Sequence, residues 1–496
     1  MAVVYLYAFP YFAGLRHANE LPRVLTTVEL AEHGSFRLDD RLSQLGSRAD
    51  ISTTPDGHSY QNKAPGLSVL ALPVYYPLAL AYRVSNLRPP LMLTTWLLRV
   101  VLVTLPALLF LAAFRRIARR FGESADAQNG GLVAFALGSM ALPYGLLFMS
   151  HALAATLVGF AFALAVVTTR ERGVPETKAS LGVGALLGLA MACEYQALFG
   201  ALLTAAYFVW GAERRGRAGL LLTAAVLPFI AALAIYHAKA FGSPFHTGYT
   251  YSVDPANRVG IMGIVGFSQA SLAQLLWRVD NGLLLLSPWV LLALVGGVAI
   301  ARSAEARARV GREALVAGSC AFIYCAFVAA LHPSFGRAGW SVGPRYIAVA
   351  MPFFAWLATA GLAVCLRHTA LRVPALALLF IGVGIHVLAA TTYPHWPAEL
   401  QNPLFEVSLR LLGTGHAPPS LGTWLGLRGL ASLAPLYLGA LALVVALMAR
   451  RREQLLEVAL AVVLAAFAVS RYDRLAATPR PVDAAMWQFV EKTAEP

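Results

Sequence analysis

Apolar residues fall in long, unbroken blocks along this chain, separated by short charged loops. As helices, blocks of this length can cross the ~30 Å hydrocarbon core of a bilayer. Their continuity excludes a transmembrane β-barrel, whose strands alternate apolar and polar positions. The blocks predict thirteen spans, at 1–15, 91–114, 130–148, 150–169, 180–195, 196–212, 218–238, 282–301, 313–331, 345–366, 373–392, 429–449 and 454–470. Two stretches break the pattern. In "ELPRVLTTVELAEHG" the apolar residues Leu21, Val24, Leu25, Val28 and Ala31 recur at helical spacing, with Glu20, Arg23, Thr27 and His33 off the stripe. This predicts an amphipathic helix resting on the outer leaflet. Block 64–86 is apolar but holds Pro65, Pro73 and Pro77, which interrupt a helical hydrogen-bond ladder.

The charged loops set the topology. "RRIARR" (115–120), "RERGVPETK" (170–178), "ERRGR" (213–217), "RSAEARARVGR" (302–312) and "RRR" (450–452) mark the cytoplasmic side by the positive-inside rule. Alternation then puts the turns at His151 and Glu194, the loops 239–281, 332–344 and 393–428, and the tail 471–496 outside. The first external loop runs over 16–90, and its two ends agree if 64–86 lies in the interface without crossing; the alternative is a span, with Arg83 and Arg88 marking a cytoplasmic turn. The expected fold is an all-α polytopic membrane protein, a single integral-membrane domain over 1–496. It would be a bundle of about 13 transmembrane helices with interfacial helices in the first external loop. Block 1–15 has no basic n-region and no small-residue cleavage site, so it reads as a first span and not as a removable signal peptide.

Composition sharpens this reading. The 496 residues are 58% hydrophobic and 13% charged, where a soluble domain carries about 25% charged residues. The net charge of +14 could suggest nucleic acid, but the cations sit in short loops at span ends, where topology and lipid headgroups account for them. Cys193, Cys320, Cys325 and Cys365 lie in or beside apolar blocks and form no disulfide or metal pattern. No Gly-rich nucleotide loop, HExxH or Cys/His spacing occurs, so no resident cofactor or metal is indicated, and the role of a divalent ion stays open.

Ionisable groups at membrane depth are costly and therefore functional candidates. They collect on the external side: Asn19 and Glu20 after the first span, Lys63 at the edge of block 64–86, Arg99 inside the span 91–114, and His151 and Glu194 at short turns. Later loops add Lys239, His246, Tyr249 and Tyr251, then Arg337, Trp340 and Arg345, then His395 and Trp396. Asp39 and Asp40 lie in the polar strip of the first loop. Cations with a few carboxylates at an outer interface suit an anionic lipid headgroup, arginine by a bidentate fork and lysine as a point charge. A carboxylate beside them could serve as general base toward an acceptor hydroxyl.

The order "NELPRVLTTVELAEHGSF", then "YQNKAPG", resembles the first external loop of GT-C-type glycosyltransferases, in particular the protein O-mannosyltransferase and lipid A aminoarabinose transferase (glycosyltransferase family 39-like) branch. The likeness continues in "RPPLMLTTWLLRVVLV" with Arg99, in "PYGLLFMSHALAATL" and in "GWSVGPRYIAVAMPF". The resemblance implies transfer of a sugar from a polyprenyl-phosphate donor to a lipid, glycan or protein acceptor. The reaction would face the periplasm or exterior from the cytoplasmic (inner) membrane, as part of cell-envelope glycosylation. It makes Glu20 the expected base, with Lys63, Arg345 and Arg99 on the donor phosphate. Asn19, Asp39, Asp40, His151, Glu194, Tyr249, Trp340 and His395 are further substrate-binding candidates. Three departures stand out: Asn19 replaces the first member of an acidic pair, His151 stands where an Asp is frequent, and Ala64 separates Lys63 from Pro65. Two rival functions share this scaffold, a transporter or flippase of a lipid-linked sugar and a non-catalytic lipid-binding subunit. No internal repeat supports the transporter.

Overall fold

The computed structural model describes residues 1–8, 19–45, 47–334, 340–397, 400–449 and 452–475. The chain is an all-α polytopic membrane protein. Seven helices are long and apolar enough to cross a membrane: Leu91–Phe121, Ser150–Glu171, Arg215–Phe241, Ala304–Ala330, Arg345–Cys365, Thr369–Thr391 and Arg452–Arg474. Each lies on a predicted span. Glu176–Cys193 fills most of the block 180–195, and three shorter apolar helices, Ala197–Gly211, Pro288–Arg302 and Ala434–Met448, stand at three more. Of the first predicted span only the helix Ala2–Leu6 falls within the described residues. Arg337 and most of the tail 471–496 lie outside them.

The predicted span 130–148 is not one helix. Ala125–Ala136 stops, and a separate turn of helix, Ala141–Gly145, follows. Twelve residues rise only about 18 Å, short of a bilayer core. The freed carbonyl of Gly138 at the break accepts from the Trp289 indole Nε1 (2.6 Å) and the Ser287 hydroxyl (3.2 Å), so a distant segment satisfies it. Beyond the break, the chain turns through the buried residues 146–149 into Ser150–Glu171.

Ser150–Glu171 and Arg345–Cys365 form the centre: 83% and 89% of their apolar windows are buried. Arg215–Phe241 and Arg452–Arg474, at 17% and 22%, form the rim, with Leu220, Leu227, Ile235, Leu456, Val463 and Phe467 facing outward. Apolar side chains on such a rim are stable against lipid. In the core, Leu291–Arg302 crosses Met351–Cys365 at backbone contact. A Cβ on Gly296 would stand 2.0 Å from the Leu357 carbonyl oxygen, and one on Gly361 2.0 Å from that of Leu292. Such small-residue crossings are a common way for helices to associate in lipid.

The first external loop contains the elements that matter most. Leu21–His33 is helical with Leu21, Val24, Leu25 and Val28 buried, as its stripe predicts. It does not rest on a surface, however, because Arg23, Thr26, Thr27 and Glu29 are buried too. The off-stripe side chains find polar partners inside the protein: Thr27 donates to the Ser68 carbonyl (3.1 Å), and the Ser68 hydroxyl donates to the Arg23 carbonyl (3.0 Å). Block 64–86 forms two short helices, Gly66–Leu70 and Leu72–Arg83, neither of crossing length. Between these elements lies an antiparallel hairpin, Ile51–Thr53 with Ser59–Gln61, in the register Ile51↔Gln61, Ser52↔Tyr60, Thr53↔Ser59. The connecting "TPDGH" carries a Pro-Asp-Gly turn signal with Gly57 at φ 86°.

Candidate functional site

The hairpin brings Asp50, just before its first strand, beside Lys63, just after its second. The Asn62 N–H closes the end of the ladder on the Asp50 carbonyl (3.0 Å). Asp50 Oδ1 then stands 3.2 Å from Lys63 Nζ, and both side chains are buried. Asn19 Nδ2 donates to the other carboxylate oxygen (2.9 Å). Lys63 also donates to the Tyr249 hydroxyl (3.0 Å), with its ammonium 4.7 Å from the ring centroid. The short helix Gly248–Tyr251 reaches this position because the Ser52 hydroxyl donates to the Gly248 carbonyl. The start of Gly66–Leu70 is pinned as well: a Cβ on Gly66 would meet the Ala192 carbonyl oxygen at 2.4 Å, so only glycine fits.

A second group joins Asp50 and Lys63 from the other side. Arg23 donates to the Ser150 hydroxyl (2.7 Å) and lies 3.9 Å from Glu194. The Ser150 hydroxyl donates to Glu194 (2.5 Å). His151 Nδ1 faces both Glu194 (3.1 Å) and the Gln196 amide (3.0 Å), while its Nε2 is buried without a hydrogen-bond partner. Arg345 is buried against the Tyr346 ring, 5.4 Å from its centroid, within electrostatic reach of Asp50, Arg23 and Lys63. Among the described residues, this cluster therefore holds three buried cations (Arg23, Lys63, Arg345) against two buried carboxylates (Asp50, Glu194).

The charges tune one another. Burial alone would raise the Asp50 carboxyl, but Lys63, Arg345 and Arg23 hold it down at about 2. Burial opposes the Lys63 ammonium most strongly, yet Asp50, Tyr249 and Tyr346 together outweigh it and raise its pKa. Tyr249 is pushed up to about 12, chiefly by burial. A cavity of about 200 Å³ opens beside the cluster, lined by Glu194, Gln196, Tyr249 and Tyr346 together with apolar residues such as Phe199 and Phe327.

Glu20 sits next to this cluster but is otherwise engaged. One carboxylate oxygen accepts from Arg99 Nε (2.6 Å) and from the Phe148 N–H (2.6 Å); the other stands 3.5 Å from His395 Nε2. Glu20 is completely buried. Burial would raise its pKa, but Arg99 and His395 reverse this and hold it well below the usual carboxylate range. Burial lowers the His395 ring against the pull of Glu20. Glu20 thus holds the turn after the broken helix through the Phe148 N–H, and Arg99 Nε is bonded to Glu20. The partners of Glu20 lie 79 and 128 residues away, so the sequence does not announce them.

The remaining candidates divide. Asn19, His151, Glu194, Tyr249 and Arg345 join Lys63 in one cluster, and His395 joins Glu20. Asp39 instead fixes the hairpin, accepting from the Ser59 N–H (2.6 Å) and facing His58 Nδ1 (2.8 Å), while Asp40 is exposed. Trp340 is half-buried, next to Ser341, whose N–H donates to the Trp396 carbonyl (3.1 Å). Lys239 is exposed, and His246 and Tyr251 meet edge to face. Sequence reasoning missed Asp50, Arg23, Ser150, Gln196 and Tyr346. The Pro-Asp-Gly turn that pairs 50 with 63 was the available signal for Asp50. Arg23, off the stripe three residues after Glu20, was the signal for a buried polar helix face. Among the described residues, no three His, Cys, Asp or Glu side chains converge as a metal site.

No known family and no curated protein matches the sequence. Among solved structures the chain is similar to ArnT from Cupriavidus metallidurans in the apo state, at 16% identity and a TM-score of 0.46 over 95% of this chain and 76% of that one. It is similar to the same protein bound to undecaprenyl phosphate at 14% identity, with the same coverage and TM-score.

Proposed function

We propose that the protein is a membrane glycosyltransferase that moves a sugar from a polyprenyl-phosphate donor to a hydroxyl of a lipid, glycan or protein, on the membrane face opposite the basic loops. The observation that carries this reading is the unbalanced buried cluster, three cations against two carboxylates, beside a cavity lined by polar and apolar side chains. A buried excess of positive charge is unstable unless an anion completes it. A phosphodiester with an apolar tail supplies one negative charge and a chain for the apolar lining. The first-loop resemblance supports the same reading.

Lys63 and Arg345 are the phosphate ligands in this proposal, with Arg23 and the Tyr249 hydroxyl alongside. We assign the proton acceptor to Asp50, which stands directly on Lys63; Glu20, bonded to Arg99 and the Phe148 N–H through one oxygen with the other facing His395, is the second candidate. Arrival of the donor phosphate draws Lys63 and Arg345 away from Asp50 and sets a second anion near it, which raises its basicity. The acceptor hydroxyl then forms a bond from oxygen to the anomeric carbon, and its proton passes to Asp50. The bond from that carbon to the phosphate oxygen breaks with its electron pair, and the charge on the leaving phosphate is stabilised by the two cations. Arg99 acts only by positioning.

The test is transfer from a prenyl-phosphate sugar by purified protein. Asp50→Asn lowers turnover by roughly 10²–10⁴-fold while retaining donor-phosphate affinity. Full turnover in that variant would remove Asp50 from the base role. Uptake of the lipid-linked sugar into sealed vesicles without covalent product would favour the transporter instead.

A further inference from the structure

At the opposite end of the bundle, we propose a seat for an anionic phospholipid of the leaflet that faces the basic loops. A cavity of about 950 Å³ lies against the last turns of Leu91–Phe121. Leu108, Leu111, Ala112, Arg115 and Arg119 recur at three- and four-residue spacing along its wall, with Leu132 opposite. Eleven residues from Leu108 to Arg119 rise about 16 Å, the depth of roughly one leaflet. The wall is thus apolar below and cationic above, in the order of a lipid's chains and headgroup.

Of the four arginines that line it, two are paired within the protein and two are not. Arg116 donates to Glu171 (Nε to Oε2, 3.1 Å). Arg120 donates to the Arg309 carbonyl (3.0 Å) and lies 3.7 Å from Glu313. Among the described residues, Arg115 and Arg119 have no carboxylate partner, and the buried Nε of Arg115 has no hydrogen bond. A guanidinium pair left in this state suits phosphodiester oxygens, which it grips bidentately. The source is the bilayer, because the neighbouring face of the same helix exposes Leu105 and Leu109 to lipid. The phosphate seat and the apolar wall therefore open onto one leaflet.

Native mass spectrometry of the full chain, released from vesicles of equimolar phosphatidylglycerol and phosphatidylcholine, tests this. The unmodified chain retains phosphatidylglycerol selectively. Arg115→Gln/Arg119→Gln weakens that retention roughly 25-fold, at about fivefold per arginine near a membrane surface. Arg215→Gln/Arg217→Gln, in the exposed first turn of Arg215–Phe241 on the same side, changes it less than about twofold. Equal loss in both double variants would reduce the effect to general surface charge and overturn the site. Equal retention of the two lipids by the unmodified chain would overturn it even if no variant folds. Inorganic pyrophosphate bound as well as the lipid would overturn the assignment to lipid.

Discussion

Removing Lys63 separates two roles that one side chain plays. Lys63→Met deletes a buried ammonium and leaves Asp50 facing only Asn19 and the more distant Arg345 and Arg23. Breaking one partner of a buried pair costs ~3–5 kcal/mol, and the remaining cations put this case near ~3 kcal/mol. Lys63→Met/Asp50→Asn removes both charges, and a buried pair replaced by neutral groups of similar volume is often nearly neutral for stability. The double variant is therefore expected to unfold at a higher temperature than the single one. Binding behaves oppositely. A charged hydrogen bond to phosphate is worth ~1.5–3 kcal/mol, so both variants bind a non-hydrolysable prenyl phosphate roughly 10- to 150-fold more weakly. The two measurements are thermal unfolding in detergent and donor titration. Affinity regained in the double variant would show that Lys63 serves only to neutralise Asp50 and would refute its contact with phosphate. Equal melting temperatures would refute the pairing energy. The pH profile adds a check. Asp50 is held at about 2 against an ordinary 3.8, so its stabilisation is complete above that ordinary value and declines as pH falls toward 2. The double variant loses this acid limb.

Two further outcomes follow from packing. Gly66→Ala sets a Cβ 2.4 Å from the Ala192 carbonyl oxygen, and neither backbone can yield easily. We expect a loss of ~1–3 kcal/mol and weaker donor binding, read by the same melts and titrations; an unchanged melting temperature would contradict the close approach. Glu313→Gln removes a fully buried carboxylate that accepts from Arg170 Nε (2.8 Å) and Nη2 (3.1 Å) and from the Tyr207 hydroxyl (2.9 Å). Arg170 lies about 30 Å along its helix from Ser150, so stability falls by ~3 kcal/mol while the KM for donor stays unchanged. A shifted KM would mean that the two ends of the bundle are coupled.

Much of the architecture was legible because a bilayer demands long apolar helices, and the seven longest stand where hydropathy puts them. Hydropathy fails where apolar residues pack inside the protein. The run from Phe135 to Met149 has no polar interruption strong enough to reveal a break, and the Trp289 indole that satisfies Gly138 lies 151 residues away. In the site, Lys63, Arg345, His151, Glu194 and Tyr249 were visible as costly groups near span ends, and they do gather. Their partners were not visible. Glu20 looked available because nothing near it in sequence announces Arg99 at 79 residues' distance. Asp50 looked like one of several loop acids because its importance comes from strand register, which a window of composition does not see.

The hairpin also bears on the order in which the site assembles. Lys63 meets Tyr249 across 186 residues, Arg23 meets Ser150 across 127, and Glu20 meets Arg99 across 79. Asp50 and Lys63 meet across a single short turn, so closing their loop forfeits far less chain entropy than any of the others. Contacts of low sequence separation form early, before long-range helix docking. The acid–base pair is thus a local product of about fourteen residues, around which the late-arriving helices close, and the fidelity of that small turn sets the charge pattern that the rest of the bundle inherits.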